Sequence, residues 1–234
     1  MKAVIFLSLL TLASAAPKKK GPPVDPTVAN EFNLDHKDSE NCPGLLLLWA
    51  RGTDQEGNMG ASPGPQLAKM LKEEFNLAQI QGINYPACVE DVLLPKGTTE
   101  AAIANMTDYV QQVWENKKCP YTPVILGGYS QGAAVVHGAV DQLSEKHFWH
   151  VKGVVTFGDT RKTIDGGKFG NLEPVRSLNI CNDGDTICTN GTMEITDAHS
   201  DYAKHVQKAY DHICKVVHMK PAKGKKQTWR ETEH

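Results

Sequence analysis

The sequence predicts an α/β fold, a three-layer α/β/α sandwich on a mainly parallel sheet, and three observations point there. Short apolar runs alternate along the chain with longer stretches whose apolar residues recur at helical spacing. The short runs are continuously apolar rather than alternating, as strands covered on both faces require. Polar, glycine-punctuated segments follow them, where open α/β sheets carry their functional loops.

In chain order, Met1-Lys2, the apolar stretch from Ala3 to Leu12 and the small residues Ala13-Ser14-Ala15 have the form of a secretory signal peptide, residues 1–16. Residues 17–40 hold Lys18-Lys19-Lys20, Pro22-Pro23 and scattered charges without an apolar period, and are expected to be a flexible lead-in. The folded domain spans 41–218. Its first strand is Gly44 to Ala50, ending in Arg51-Gly52-Thr53-Asp54. Pro65 opens a helix with Leu67, Met70, Leu71 and Phe75 on one face. A second strand, Ala78 to Tyr85, leads into a long loop from Pro86 to Pro95. Thr98 or Thr99 caps a helix bearing Ile103, Met106, Val110 and Val113. The run from Val124 to Tyr129 is the third strand, and the helix after it extends to about Lys146. Val151 to Phe157 and Val175 to Ile180 supply the fourth and fifth strands. A last helix follows His199, with Tyr202, Val206, Ile213 and Val217 buried. Residues 219–234, rich in lysine, read as a disordered basic tail.

With 234 residues, 40% hydrophobic and 22% charged, the chain can bury one full core, and its net charge of -2 argues against a nucleic-acid partner. Beyond the leader, no stretch is long and apolar enough to span a bilayer. Six cysteines in an extracellular chain suggest disulfides, and six allow fifteen connectivities.

The chemistry centres on Gly128-Tyr129-Ser130-Gln131-Gly132. A G-x-S-x-G pattern is weak alone because glycine and serine are common. Here it lies at a strand-to-helix junction, the context of a nucleophile elbow, in which a sharp turn exposes the serine and glycines let neighbouring elements approach. A serine nucleophile needs a base and an orienting acid from later strand ends. After the fifth strand comes Cys181-Asn182-Asp183-Gly184-Asp185-Thr186-Ile187-Cys188, and eleven residues on stands His199. The order serine, acid, histidine is that of α/β-hydrolases. Either Asp183 or Asp185 could fill the acid's place. A Cys181 to Cys188 bridge would stabilise that loop by roughly 2.5 kcal/mol on the chain-entropy account.

Taken together, Gly128 to Gly132, Ala50-Arg51-Gly52-Thr53, the segment from Cys181 through Asp185 to Thr189, and Ala198-His199 with Tyr202 resemble the cutinase family of secreted serine esterases, over about residues 42–217. The resemblance implies an α/β-hydrolase fold with a central five-stranded parallel sheet, an exposed serine without a large lid, and ester hydrolysis without cofactor or metal. It implies Ser130 as nucleophile, Asp185 as acid and His199 as base. It places the oxyanion hole at Thr53 and Gln131, and pairs Cys42 with Cys119 and Cys181 with Cys188. Threonine at position 53 departs from the serine usual there. It keeps a hydroxyl and restricts its rotamer.

Cys88 and Cys214 are then left over, either bridged or free. Asn105-Met106-Thr107 and Asn190-Gly191-Thr192 are glycosylation sequons. Val92, Leu93, Met193 and Ile195, with Val89 and Leu94, offer apolar surface for an acyl chain, interrupted by Glu90, Asp91, Glu194 and Asp197. Such a mixed surface suits short or medium acyl esters and polymer surfaces better than a deep tunnel. A secreted, monomeric esterase of cutin-type polyester is therefore expected. The competing expectation, an esterase that removes acetyl groups from xylan, draws on Asn84-Tyr85-Pro86-Ala87, which resembles the acetylxylan esterases of the wider family. A non-catalytic binding protein is the remote alternative. His205 and His212, two turns apart, lack the companions of a metal site and are expected to face solvent.

Overall fold

The computed structural model describes residues 25–35 and 41–219. The expected signal peptide and the basic tail beyond Met219 lie outside the described residues. Five strands, β1 (Leu46–Ala50), β2 (Gln79–Gly82), β3 (Val124–Tyr129), β4 (Val151–Phe157) and β5 (Ser177–Ile180), form one sheet in the order β2-β1-β3-β4-β5, every neighbouring pair parallel. With its flanking helices this is the α/β-hydrolase fold the sequence predicts.

The continuous apolar runs are explained by two cores. Along β1, Leu46, Leu48 and Ala50 enter one core while Leu45, Leu47 and Trp49 enter the other. The first core is closed by α2 (Glu100–Glu115) and α3 (Gln131–Gln142), the second by α1 (Gly64–Glu74) and α7 (Val206–Val217). Thr99 caps α2, its hydroxyl accepting the Ala102 N–H at 3.1 Å.

The chain crosses from β2 over β1 to β3, so the carboxyl ends of β1 and β3 flank the point where strand order reverses. Open parallel sheets form their crevice at such a point. Arg51 to Thr53 leave β1 there, and Ser130 leaves β3 beside them.

Several boundaries differ from expectation. The helix after Ser130 stops at Gln142 because Leu143 turns extended, and a separate α4 (Glu145–Phe148) follows. Val175 lies in a 3-10 turn (Pro174–Arg176) ahead of β5, and a second such turn (Val89–Leu93) forms within the Pro86 to Pro95 loop. His199 sits inside a short helix, α6 (Asp197–Ser200), after α5 (Thr186–Asn190); α7 begins only at Val206, and on it Val216 is buried more deeply than Val217. Residues 25–35, part of the expected lead-in, run along the free edge of β2 through an antiparallel bridge between Asn30 and Gln81. Asn58 clasps them, its amide reaching the carbonyl of Ala29 at 3.1 Å and Asn30 Oδ1 at 2.9 Å. An unpaired strand edge is thereby covered.

Candidate active site

Ser130 stands between β3 and α3 at φ 55°, ψ -120°, a conformation that costs a non-glycine residue roughly 1–3 kcal/mol. The surroundings hold it there. Its N–H donates to the carbonyl of Phe157 at 2.9 Å, and its carbonyl accepts the N–H of Ala133 at 2.9 Å. The two motif glycines allow the close approach. A Cβ on Gly128 would lie 2.4 Å from the Gly132 carbonyl oxygen, and one on Gly132 would lie 2.0 Å from that of Ala50.

Three predicted residues converge. Ser130 Oγ lies 2.9 Å from His199 Nε2, and His199 Nδ1 lies 2.9 Å from Asp185 Oδ2. Asp185 is buried whereas Asp183 is exposed, so of the two acids Asp185 alone faces the histidine. Asp185 also caps α5, its Oδ1 accepting the N–H of Ile187 at 3.1 Å and of Cys188 at 3.2 Å. The Cys181–Cys188 disulfide, Cα atoms 5.7 Å apart, closes this loop, and Cys42–Cys119 links the start of the domain to the turn before β3.

The aspartate has a fourth contact that the sequence reading missed. Tyr202, expected to be buried and part of the family motif but given no role at the site, donates its hydroxyl to Asp185 Oδ2 at 2.5 Å and accepts the Asn182 N–H at 3.0 Å. Burial pushes the Asp185 carboxyl up, but the hydrogen bonds from Tyr202, His199 and the Cys188 N–H outweigh it and hold the carboxyl below its ordinary value. Tyr129, at the strand end, donates its hydroxyl to the His199 carbonyl at 2.7 Å and stacks its ring on the imidazole at 5.5 Å. Burial and the Asp185 charge push its phenol up to about 12, so it remains a donor through neutral pH. Gly158, after β4, completes the cradle at φ 55°. A Cβ there would lie 3.0 Å from both His199 Cε1 and Tyr202 Cε2.

The sign of the Asp185 shift gives a first prediction. A carboxyl lowered by folding contributes stability above its unfolded pKa, and that contribution is lost as pH falls through the lowered value. Tyr202→Phe removes a charge-assisted hydrogen bond, worth about 1.5–3 kcal/mol. Acid unfolding followed by circular dichroism is expected to begin at higher pH in Tyr202→Phe than in the parent chain.

Thr53 and Gln131 lie side by side, Thr53 Oγ1 donating to Gln131 Oε1 at 3.2 Å. The Gln131 amide in turn donates to the Cys88 carbonyl at 3.3 Å. Arg51, buried, holds the Thr53 loop from behind. Its guanidinium donates to the carbonyls of Gln55 at 2.6 Å, Tyr85 at 2.8 Å and Pro86 at 3.0 Å, while the Tyr85 hydroxyl donates to the Arg51 carbonyl. The Asn84 to Ala87 stretch thus braces this loop through backbone carbonyls.

The remaining candidates are not brought into the triad. Leu93, Met193 and Ile195 are exposed, with Val89 and Leu94, while Val92 is half-buried. Cys88 and Cys214 are both free thiols, because Cys88 follows Ala87 of the α2–α3 core whereas Cys214 packs on the α1–α7 core across the sheet. His205 and His212, expected to face solvent, are part-buried. His205 Nε2 lies 2.6 Å from Asn182 Oδ1, and His212, on α7, lies beside the Arg176 backbone.

Comparison with known proteins agrees with this geometry. The model of the family described as cutinase matches residues 41–217. The cutinase CUT2 of Pyricularia oryzae is 39% identical over 211 residues, 89% of this chain and 95% of that protein. A solved structure of Trichoderma reesei cutinase in complex with a phosphonate inhibitor superposes with a TM-score of 0.70 at 30% identity, covering 82% of this chain and 81% of that one. An acetyl xylan esterase structure shares the fold, with a TM-score of 0.59 at 21% identity over 75% of this chain and 99% of that one. The chain belongs to the cutinase family, whose members are carboxylic-ester hydrolases.

Proposed function

We propose that the chain hydrolyses esters of cutin-type polyester, with Ser130 as nucleophile, His199 as general base and acid, and Asp185 as the group that orients the imidazole. The observation that carries this reading is the unbroken chain of hydrogen bonds from Ser130 Oγ through His199 to Asp185. Ser130 Oγ attacks the ester carbonyl as His199 Nε2 takes its proton, and Asp185 stabilises the imidazolium. The carbonyl oxygen becomes an oxyanion facing the N–H groups of Thr53 and Gln131, the latter at the first turn of α3, where N–H groups lack intrahelical acceptors. Loss of one such donor costs about 2.7–4 kcal/mol in the barrier. Collapse expels the alcohol with the proton from His199, leaving an acyl-serine that water, activated by the same histidine, hydrolyses. The Thr53 hydroxyl, committed to Gln131, serves to place its own backbone.

The substrate reading rests on the rim. Two loops carry exposed apolar side chains, Val89, Leu93 and Leu94 on the Thr53 side, Met193 and Ile195 on the Asp185 side. The first loop is tied to the site by the Cys88 carbonyl and the second by Thr196 Oγ1, which donates to the Gly184 carbonyl at 2.9 Å. Val92, on the same loop as Val89, Leu93 and Leu94, is half-buried. An open apolar rim of this kind suits a short acyl chain held at a polymer surface. Among the described residues no helix is long and apolar enough to cross a membrane. Secretion through residues 1–16 and action as a monomer belong to the same proposal.

Hydrolysis of 4-nitrophenyl esters from acetate to palmitate, beside cutin and acetylated xylan, tests this reading. The expected result is a maximum at a short or medium chain with monomer release from cutin. A steep preference for acetate with acetate release from xylan would transfer the substrate to the carbohydrate.

A further inference from the structure

The two sequons differ in the folded chain. Asn105 and Thr107 lie in the middle of α2, where residues two apart point about 200° apart. Thr107 is buried and donates its hydroxyl to the Ile103 carbonyl at 2.9 Å, and Asn105 Nδ2 donates to the Asn84 carbonyl at 3.0 Å. Both polar groups of that sequon are engaged. Asn190, by contrast, is the last residue of α5, and the chain leaves the helix through Gly191 at φ 70°, ψ 26°. Asn190, Gly191 and Thr192 are all exposed. A Cβ on Gly191 would lie 2.5 Å from Thr163 Oγ1, so this turn is seated on its neighbour and its geometry is fixed.

The position of Asn190 gives the difference a consequence. Thr186 Oγ1 donates to the Glu194 carbonyl at 3.1 Å and Thr196 Oγ1 to that of Gly184 at 2.9 Å, folding the 190–196 segment back on the loop that carries Asp185. Exposed Met193 and Ile195 follow within five residues, and His199 comes next.

We propose that Asn190 is an N-glycosylation site and Asn105 is not, and that the Asn190 glycan flanks the apolar rim on the histidine side, restricting contact with a polymer surface while small soluble esters enter freely. The donor is a lipid-linked diphosphate oligosaccharide. Asn190 Nδ2 forms a bond to the sugar C1 as the C1–oxygen bond to the diphosphate breaks. The amide proton passes to a base of the transferase, and the lipid diphosphate leaves with the bonding pair.

This inference rests on the secretion reading, and the experiment separates the two. The full chain is expressed in yeast with its own N-terminus and, in parallel, behind a yeast secretion leader, as parent, Asn190→Gln and Asn105→Gln. Endoglycosidase shift and peptide mass spectrometry are expected to find a glycan that Asn190→Gln abolishes and Asn105→Gln leaves in place. Asn190→Gln is also expected to raise monomer release from a polyester film severalfold relative to 4-nitrophenyl butyrate hydrolysis. Leader-driven protein secreted with Asn190 unmodified, or carrying its glycan at Asn105 alone, overturns the assignment. An unchanged ratio overturns the steric role. Glycosylation at Asn190 behind the leader, with the native N-terminus retained in the cell, supports the site and overturns the secretion reading.

Discussion

Ser130→Ala is expected to lower kcat for a soluble ester by roughly 10⁵–10⁶, with the fold and thermal unfolding little changed. Alanine keeps the Cβ and the N–H that donates to the Phe157 carbonyl, so the strained turn at φ 55° keeps its restraints. What disappears is the oxygen 2.9 Å from His199 Nε2. Because nucleophile and base act as one unit, the double variant Ser130→Ala/His199→Ala is expected to be no slower than either single one. Single-turnover and steady-state rates on 4-nitrophenyl butyrate, with unfolding followed alongside, check both statements.

Asp185→Asn is expected to cost about 10⁴ in kcat while leaving the backbone in place, because it changes the histidine tautomer. The local contacts decide which way the new amide faces. Asp185 Oδ1 accepts two backbone N–H groups, from Ile187 and Cys188, so the asparagine oxygen must stay there and its NH₂ must take the Oδ2 position. That NH₂ donates towards His199 Nδ1, which becomes the acceptor and leaves the proton on Nε2. A protonated Nε2 cannot take the Ser130 proton. Tyr202, which donates at Oδ2 in the parent, must turn its hydroxyl proton away, so Asp185→Asn is also expected to lose some stability. A loss confined to stability, with kcat unchanged, would remove Asp185 from the catalytic chain.

The α/β alternation and the triad were legible because each leaves a local mark. β1 and β3 are unbroken apolar runs since both faces are covered, and Gly128 and Gly132 flank Ser130 because a Cβ at either would strike backbone. The boundaries of α3 and β5 were less legible, since the extended turn at Leu143 and the 3-10 turn before Ser177 fall at element ends, where apolar period is least informative. Tyr202 read as a core aromatic, which it also is, and only the folding of α6 and α7 brings its hydroxyl to Asp185. The contacts of His137 Nε2 with Asp159 Oδ2 at 3.0 Å and of His137 Nδ1 with Asp165 Oδ2 at 3.2 Å join α3 to the loop after β4 and leave no periodic trace. For Gly158 a weak signal existed, a glycine directly after a strand, free to take the φ of 55° that the chain adopts there. The 25–35 segment has no apolar period because it binds the sheet edge through backbone groups and Asn58.

The reaction of the full chain with an alkyl phosphonate ester tests the central claim most directly, with the adduct located by peptide mass spectrometry. A strained, hydrogen-bonded serine beside an oxyanion site should attack phosphorus as it attacks an ester carbonyl. The account predicts one phosphonyl group per chain, on Ser130, with loss of esterase activity in proportion and no labelling of Ser130→Ala. Labelling at another residue, or full esterase activity in a chain whose Ser130 is phosphonylated, would contradict it.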